Sequence, residues 1–159
     1  MLLFFCKLLI YYIKFMNKNI PLIVQNIVYK KNIDDSFSIL LLKRTEDRGG
    51  FWNVVNGTLE IDESILNCRS RELQEEAGIT NVLNWSNELN RFSFTYKDYV
   101  IVVLVYSAEV DPNQNIIINE EHTEYRWVSF DEAINMMKFD DDKNGLIACR
   151  DFLINKIIC

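Results

Sequence analysis

The sequence contains only one histidine, His122, among its 159 residues. A single histidine excludes a multi-histidine zinc site. No G-x-S-x-G motif accompanies it, so a serine hydrolase triad is not indicated. The four cysteines lack C-x-x-C spacing, which indicates reduced and mostly buried thiols of a cytoplasmic protein. They are Cys6, Cys68, Cys149 and Cys159.

Basic residues are also scarce, because 17 lysines and arginines stand against 23 acidic residues and give a net charge of −6. A nucleic-acid partner is not expected, since it would require a basic surface. The apolar fraction of 49% is sufficient for one hydrophobic core. No repeat, low-complexity tract or linker interrupts the chain, so we expect a single domain over residues 16–159. Homodimer formation is left open.

Residues 1–15, MLLFFCKLLIYYIKF, need a separate interpretation. As a helix they would span roughly 22 Å, which is less than the bilayer core of about 30 Å. Lys7 interrupts the apolar run and no small-residue cleavage site follows, so a secretory signal fits poorly. We interpret the segment as an apolar extension from a start assigned ahead of Met16, and we expect no membrane partner. A membrane-surface anchor is the alternative.

The most specific pattern lies between Gly57 and Ile79, GTLEIDESILNCRSRELQEEAGI. Its segment from Ser64 to Ala77 is rich in helix formers and predicts an α-helix. Gly78 is placed to end this helix, because a left-handed residue is needed there. Four apolar residues are expected on one side of the helix, namely Ile65, Leu66, Cys68 and Leu73.

On that helix Glu72, Glu75 and Glu76 stand at i, i+3 and i+4, so their carboxylates crowd one face. Like charges that close repel one another unless a cation lies among them. Oxygen ligands suit Mg²⁺ or Mn²⁺ rather than zinc. Arg71 is placed to pair with a neighbouring glutamate. Taken alone, an E-x-x-E-E run is more often a solvated helix face.

The whole pattern resembles the Nudix box. Its fixed positions are all matched, by Gly57, Glu63, Arg71, Glu72, Glu75, Glu76 and Gly78, and its apolar positions are filled by Leu73 and Ile79. Nudix hydrolases cleave nucleoside diphosphates linked to another group. The resemblance implies an α/β Nudix fold, a mixed β-sheet sandwiched between α-helices, in which the loop opened by Gly57 lies against metal and phosphates.

The rest of the chain is consistent with that fold, because strands alternate with two or three helices from Pro21 onward. The predicted strands are Leu22–Tyr29, Phe37–Leu42, Arg91–Tyr96, Tyr99–Val110 and Tyr125–Val128, with a hairpin turn at Lys97 and Asp98. Ser129 and Glu132 form a capping box that opens one helix. A final amphipathic helix begins at Asp140–Asp142 and continues through Leu146, Cys149, Leu153 and Ile157.

Segments outside the box are similar to the bacterial dihydroneopterin triphosphate pyrophosphatases and related dATP-cleaving enzymes. These segments are Leu41–Arg44, Phe51–Gly57 and Glu121–Trp127. The similarity implies that Arg44 contacts phosphate or base, that Asn56 lines the pocket and that Glu121 completes the metal site. Asn144 is a weaker candidate for the pocket. Trp52 is a candidate for base stacking, although core packing is the preferred interpretation.

Two departures and one tyrosine keep other substrates open. Val55 and Asn56 replace the proline and glycine that many members carry before Gly57, and Asp62 replaces a second glycine. Tyr96 lies seventeen residues past Ile79, where diadenosine polyphosphate hydrolases carry a base-stacking tyrosine. ADP-ribose hydrolases are disfavoured, because the proline expected about sixteen residues past the box is absent.

The resemblance therefore implies a Mg²⁺-dependent pyrophosphohydrolase, with Mn²⁺ as a substitute, that cleaves a nucleoside or pterin triphosphate by means of metal-activated water. A diadenosine polyphosphate hydrolase is the alternative, followed by a non-catalytic binding module. The expected catalytic residues are Arg71, Glu72 and Glu75, and the expected metal ligands are Glu72, Glu75, Glu76 and Glu121. The expected substrate-binding residues are Arg44, Trp52, Asn56, Gly57, Tyr96 and Asn144.

Overall fold

The computed structural model of the protein describes residues 20–158, without the side chains of residues 157 and 158. The predicted extension over residues 1–15, together with Cys6 and Cys159, lies outside the described residues. None of the helices within residues 20–158 combines the length and apolar character needed to cross a bilayer.

The described part of the chain forms eight β-strands and three α-helices. The strands are β1 (Leu22–Lys31), β2 (Phe37–Arg44), β3 (Trp52–Asn53), β4 (Val55–Thr58), β5 (Asn84–Trp85), β6 (Asn90–Tyr96), β7 (Tyr99–Glu109) and β8 (His122–Val128). The helices are α1 (Ile65–Ala77), α2 (Phe130–Met136) and α3 (Asp140–Ile158), with a short 3₁₀ turn at Glu46–Arg48.

All eight strands belong to one mixed sheet. Strands β1 and β7 run parallel, whereas β1 pairs antiparallel with both β2 and β4. Strand β2 also pairs with β3 and β8, and β7 pairs with β5 and β6. Because β1 gives its first half to β4 and its second half to β2, the β4 backbone is held beside the start of β1. The predicted mixed-sheet α/β fold is confirmed.

The alternation of side chains along the strands divides the core between the two faces of the sheet. Ile27, Ile39, Leu41 and Val105 face α2 and α3, where they pack with Leu146, Cys149 and Leu153. Val28, Leu40, Leu42 and Ala108 face α1, where they pack with Leu73 and Ala77. The predicted sandwich of the sheet between helices follows from this division.

Several local predictions are confirmed. Gly78 ends α1 in a left-handed conformation, with φ 67°. The Ser129 side chain caps α2 by accepting a hydrogen bond from the backbone N–H of Glu132. Lys97, at the predicted hairpin turn between β6 and β7, has a φ of 53°.

The predicted apolar side of α1 is wrong at its first turn. Ile65 and Leu66 are 36% and 51% exposed, whereas Cys68 and Leu73 are buried as expected. The buried face instead includes Arg69, which is only 3% exposed. Its guanidinium lies between the rings of Trp85 and Tyr106, and this tertiary contact has no local signature in the helix.

Candidate active site

Helix α1 presents two of its glutamates to the sheet and one to solvent. Packing of Leu73 and Ala77 on the sheet turns Glu72 and Glu76 inward, where they are 8% and 6% exposed. The Glu75 side chain remains 56% exposed. The three carboxylates were predicted to crowd one helix face, and all three line one cleft, although two are buried and Glu75 is exposed.

Arg71 connects the helix to the loop before it. Its guanidinium donates to Glu63 at 2.9 and 3.0 Å, to the Thr58 carbonyl at 3.1 Å and to Glu75 at 3.2 Å. It also donates to Glu72 Oε1. The guanidinium holds the pKa of the Glu63 carboxyl at about 2, well below its usual range. The predicted pairing of Arg71 with neighbouring glutamates is confirmed, and the contacts fix the position of Glu72.

Strand β4 brings backbone against the same carboxylates. A Cβ on Gly57 would lie 1.7 Å from Glu72 Oε1, so only glycine permits this approach. The backbone N–H of Asn56 donates to Glu76 Oε2 at 3.1 Å. Both contacts depend on β1, which pairs Gln25 with Asn56 and Val24 with Gly57.

The ends of β2 and β8 meet the α1 glutamates across a cleft. Arg44 ends β2 and pairs with His122, the first residue of β8, just after a register shift in the β2–β8 ladder. Together with Glu121 and the α1 glutamates, Arg44 lines a polar cleft of about 480 Å³. Within the described residues, Nε of Arg44 is buried without a hydrogen-bond partner. The cleft therefore contains a cationic donor with capacity for an anion.

Burial dominates the electrostatics of the glutamates. It raises the pKa of Glu76 to about 8, and the nearby Glu72 and Glu121 carboxylates add to the increase. The Asn56 N–H and Arg44 oppose it. Burial also raises the pKa of Glu72, against the effect of Arg71. Buried like charges of this kind are relieved by a cation.

The residues in the cleft fit a hard divalent cation in their chemistry. The donors are carboxylate oxygens, which Mg²⁺ and Mn²⁺ prefer, and Gly57 leaves the space beside Glu72 open. Within residues 20–158, however, no three acidic, histidine or cysteine side chains are arranged to hold a metal ion as they stand. Glu72 is engaged by Arg71, and Glu121 binds Arg48 at 2.9 Å. Metal binding would require these carboxylates to turn away from their arginines.

A second cavity, of about 370 Å³, adjoins the cleft and has a different character. Four phenylalanines line it, together with polar residues that include Gln25, Asp141 and Asp142; the phenylalanines are Phe51, Phe92, Phe94 and Phe139. Asn56 lines both cavities and connects them. A ligand with an anionic end and an aromatic end would therefore match the pair of cavities.

The structure brings some of the predicted substrate-binding residues to these cavities and leaves others outside. Arg44, Asn56 and Gly57 line the polar cleft beside the glutamates. Trp52 instead packs against the core, where Arg126 lies 5.0 Å from its ring centroid. Tyr96 is 58% exposed as the last residue of β6, where it pairs with Tyr99 beside the hairpin turn. Asn144 is exposed on α3, and none of these three lines either cavity.

Sequence reasoning missed the residues that form the aromatic cavity. Phe92 and Phe94 alternate along β6, and this spacing could have indicated one shared face. Gln25 and Asp142 belong to distant elements and carried no signal of their meeting. His122, by contrast, is buried and its Nδ1 lies 2.9 Å from Asn119 Oδ1, which agrees with a structural role beside Glu121.

Comparison with known proteins places these features in context. The family model for the NUDIX domain matches residues 24–148. The asymmetrical bis(5'-nucleosyl)-tetraphosphatase of Sus scrofa is 33% identical over 127 residues, which cover 76% of this chain and 84% of that enzyme. An octanoyltransferase of Myxococcus xanthus is 30% identical over 124 residues, 75% of this chain. The chain spans only 34% of the octanoyltransferase.

Solved structures agree on the fold. An Ap4A hydrolase binary complex from C. elegans superposes with a TM-score of 0.76 at 20% identity, over 85% of this chain and 98% of that one. The dihydroneopterin triphosphate pyrophosphohydrolase of E. coli gives a TM-score of 0.69 at 18% identity, over 84% and 95% of the two chains. At these identities the similarity shows the fold alone.

Proposed function

The chain belongs to the NUDIX family of hydrolases, which act on phosphoanhydride bonds, and we propose that it cleaves a nucleoside polyphosphate bound across the two cavities. One observation carries this proposal: Asn56 joins a glutamate- and arginine-lined cleft to an aromatic cavity. The phosphates would occupy the cleft and the ring system would lie among the phenylalanines. A pocket of about 370 Å³ falls within the roughly 300–1,000 Å³ typical of small-molecule sites.

A divalent cation would be held by Glu72, Glu75, Glu76 and Glu121 in the proposed activity. The chemistry supplied by Mg²⁺ or Mn²⁺ there would be neutralisation of phosphate charge and a lower pKa for a water molecule. Arg71 holds the Glu72 carboxylate at the cleft and would release it to the cation. One of the cleft glutamates accepts the proton of the attacking water.

We assign Arg44 the role of stabilising the negative charge that develops on the phosphate during the reaction. Arg44 lines the cleft, and because its buried Nε has no hydrogen-bond partner, its guanidinium would turn to a phosphate oxygen without breaking a hydrogen bond at that atom. A donor fixed in advance stabilises charge that grows in the transition state. The Gly57 backbone lies beside Glu72, where the missing Cβ lets the phosphates approach the strand.

The first candidate substrate is a nucleoside or pterin triphosphate, cleaved to monophosphate and pyrophosphate. The aromatic cavity and the glutamate cleft share Asn56, so we place the ring system in the first and the phosphate chain in the second. The rings of Phe51 and Phe139 contact edge to face, with their centroids 5.5 Å apart, and this contact fixes part of the aromatic wall.

The second candidate is a bis(5'-nucleosyl) tetraphosphate, cleaved asymmetrically to a monophosphate and a triphosphate. The relative that favours it is named for this activity and is matched over 84% of its length. In this candidate the second nucleoside stacks on Tyr96. Because Tyr96 is exposed at the hairpin end, that nucleoside would lie outside the aromatic cavity.

A panel of nucleoside triphosphates, dihydroneopterin triphosphate and bis(5'-nucleosyl) tetraphosphates, with and without Mg²⁺, tests the proposal. We expect metal-dependent turnover of at least one compound, with products separated by chromatography. Glu76→Gln should be inactive, and Glu132→Gln, an exposed glutamate on α2, should match the wild type as a control. The absence of metal-dependent products from every compound would support a non-catalytic binding module instead.

A further inference from the structure

A polar pair lies within the aromatic cavity. Gln25 is only 6% exposed, and its Nε2 donates to Asp142 Oδ1 at 2.8 Å. Both side chains line the cavity with the phenylalanine rings. Burying a carboxylate among apolar groups is unfavourable without hydrogen-bond partners, so the pair calls for an explanation beyond packing.

The position of Asp142 is set by two elements. It lies in the first turn of α3, where the helix dipole favours a carboxylate. Asp140 in the same turn is exposed and binds Lys143 at 2.8 Å, so the helix end already has an acidic residue facing solvent. Gln25, on β1, holds the Asp142 carboxylate in the cavity. Burial raises the pKa of Asp142, and the hydrogen bond from Gln25 opposes that increase. The neighbouring Asp141 carboxylate, which also lines the cavity, adds to the increase.

An ionised carboxylate only accepts hydrogen bonds, and it has room for about four. One oxygen of Asp142 receives Gln25, which leaves acceptor capacity for two adjacent donors on a ligand. The 2-amino-4-oxopyrimidine ring of guanine and of pterins presents two such donors side by side, a ring N–H and the 2-amino group. Two parallel N–H bonds to a carboxylate form the strong bidentate arrangement.

Other bases do not present that edge. Adenine and cytosine place a lone pair beside their amino group, and uracil places its single N–H between two carbonyl oxygens. A carboxylate would repel these lone pairs while it remained partly unpaired inside the cavity. Sites built to receive a donor reject analogues that lack it, because buried polar groups are then left unmatched.

We propose that Asp142, positioned by Gln25, makes the aromatic cavity selective for guanine or pterin rings. This inference rests on the proposed function for the location of the nucleoside and extends it by assigning the base. Asp142 touches the ring and determines specificity, whereas Gln25 is a positioning residue.

The experiment measures binding of GMP, IMP and AMP to the full chain by calorimetry, with no hydrolysis involved. We expect GMP to bind at least ~10-fold tighter than AMP, the scale of one hydrogen bond to a charged group. IMP lacks the 2-amino group and should bind more weakly than GMP. This comparison requires no variant and therefore no assumption about folding.

The variants Asp142→Asn and Gln25→Met test the assignment. Asp142→Asn should lose the preference for GMP over AMP, Gln25→Met should reduce it, and Asp140→Asn should keep it as the matched control on α3. Equal binding of the three nucleotides by the wild type would overturn the proposal. Two other results would also overturn it, because they would show that Asp142 has only a structural role. One is a preserved preference for GMP in Asp142→Asn, and the other is an equal loss of affinity for all three nucleotides together with a lower Tm.

These outcomes are separable from those of the proposed function. An active hydrolase that binds GMP and AMP equally would refute the assignment of the base alone. A chain that binds GMP selectively through Asp142 but hydrolyses no nucleotide would refute the catalytic proposal alone.

Discussion

Replacing Gly57 by alanine tests how closely β4 and α1 are fitted. The added Cβ would lie 1.7 Å from Glu72 Oε1 and 1.8 Å from its Cδ. The φ angle of Gly57 is not in the left-handed region, so the strain comes from side-chain contact, and the three nearest atoms to the new Cβ all belong to Glu72. Glu72 must therefore leave its position beside Arg71.

The structure predicts a small loss of stability and a large loss of activity. The clashing atoms are the end of a flexible side chain, so the free energy of unfolding should fall by only about 1 kcal/mol, at the low end for overpacking. A domain of this size would then melt roughly 2–4 °C lower. Displacing a catalytic group by about 1 Å costs ~10²-fold in rate, and kcat/KM should fall by at least that factor.

A double-mutant cycle supplies the decisive assay. Thermal unfolding of Gly57→Ala is measured in the wild type and in a Glu72→Ala background, where no carboxylate meets the new Cβ. The penalty should disappear in that background, giving a coupling energy above the ~0.5 kcal/mol expected of independent sites. An unchanged penalty, or full activity in Gly57→Ala, would refute the assigned approach of strand to carboxylate.

Three further predictions concern stability. Free Mg²⁺ at about 100 times its Kd should stabilise the protein by roughly 2.7 kcal/mol, and an unchanged Tm in chelator would argue against a metal site. Arg71 lowers the pKa of Glu63 from 4.5 to about 2, so the pair stabilises the fold above pH 4.5 and that contribution is lost as pH falls toward 2. The Tm difference between wild type and Glu63→Gln should therefore shrink over this interval, and a constant difference would contradict the pairing. Arg69→Met should cost about 2–4 kcal/mol by denaturant titration, because the Asn26 amide and two backbone carbonyls lose a buried donor; a loss below about 1 kcal/mol would show that these bonds are dispensable.

The long elements of the fold could be predicted from the sequence, and the short ones could not. Strands β1, β2, β6 and β7 extend over seven to eleven residues, enough for an alternating or apolar pattern to emerge. Strands β3 and β5 have two residues each and form only because longer neighbours pair with them. Their boundaries depend on tertiary contacts that no local window contains.

The same distinction applies to the two cavities. Glu72, Glu75 and Glu76 could be grouped because helical spacing alone places them together. Arg44 and Glu121 required the family resemblance, since they reach the cleft from two different strand ends. Asp142 and Gln25 are separated by 117 residues, and neither the spacing nor the resemblance identified their contact.

The most direct test of the central claim is the turnover number of Glu75→Gln and Glu76→Gln at saturating Mg²⁺, measured on the best substrate of the panel. Both variants remove a carboxylate charge with almost no change in shape. We expect kcat to fall by at least ~10²-fold, the scale of losing a general base or a key electrostatic contact. Near-normal turnover in both variants would contradict metal-assisted hydrolysis at the α1 glutamates.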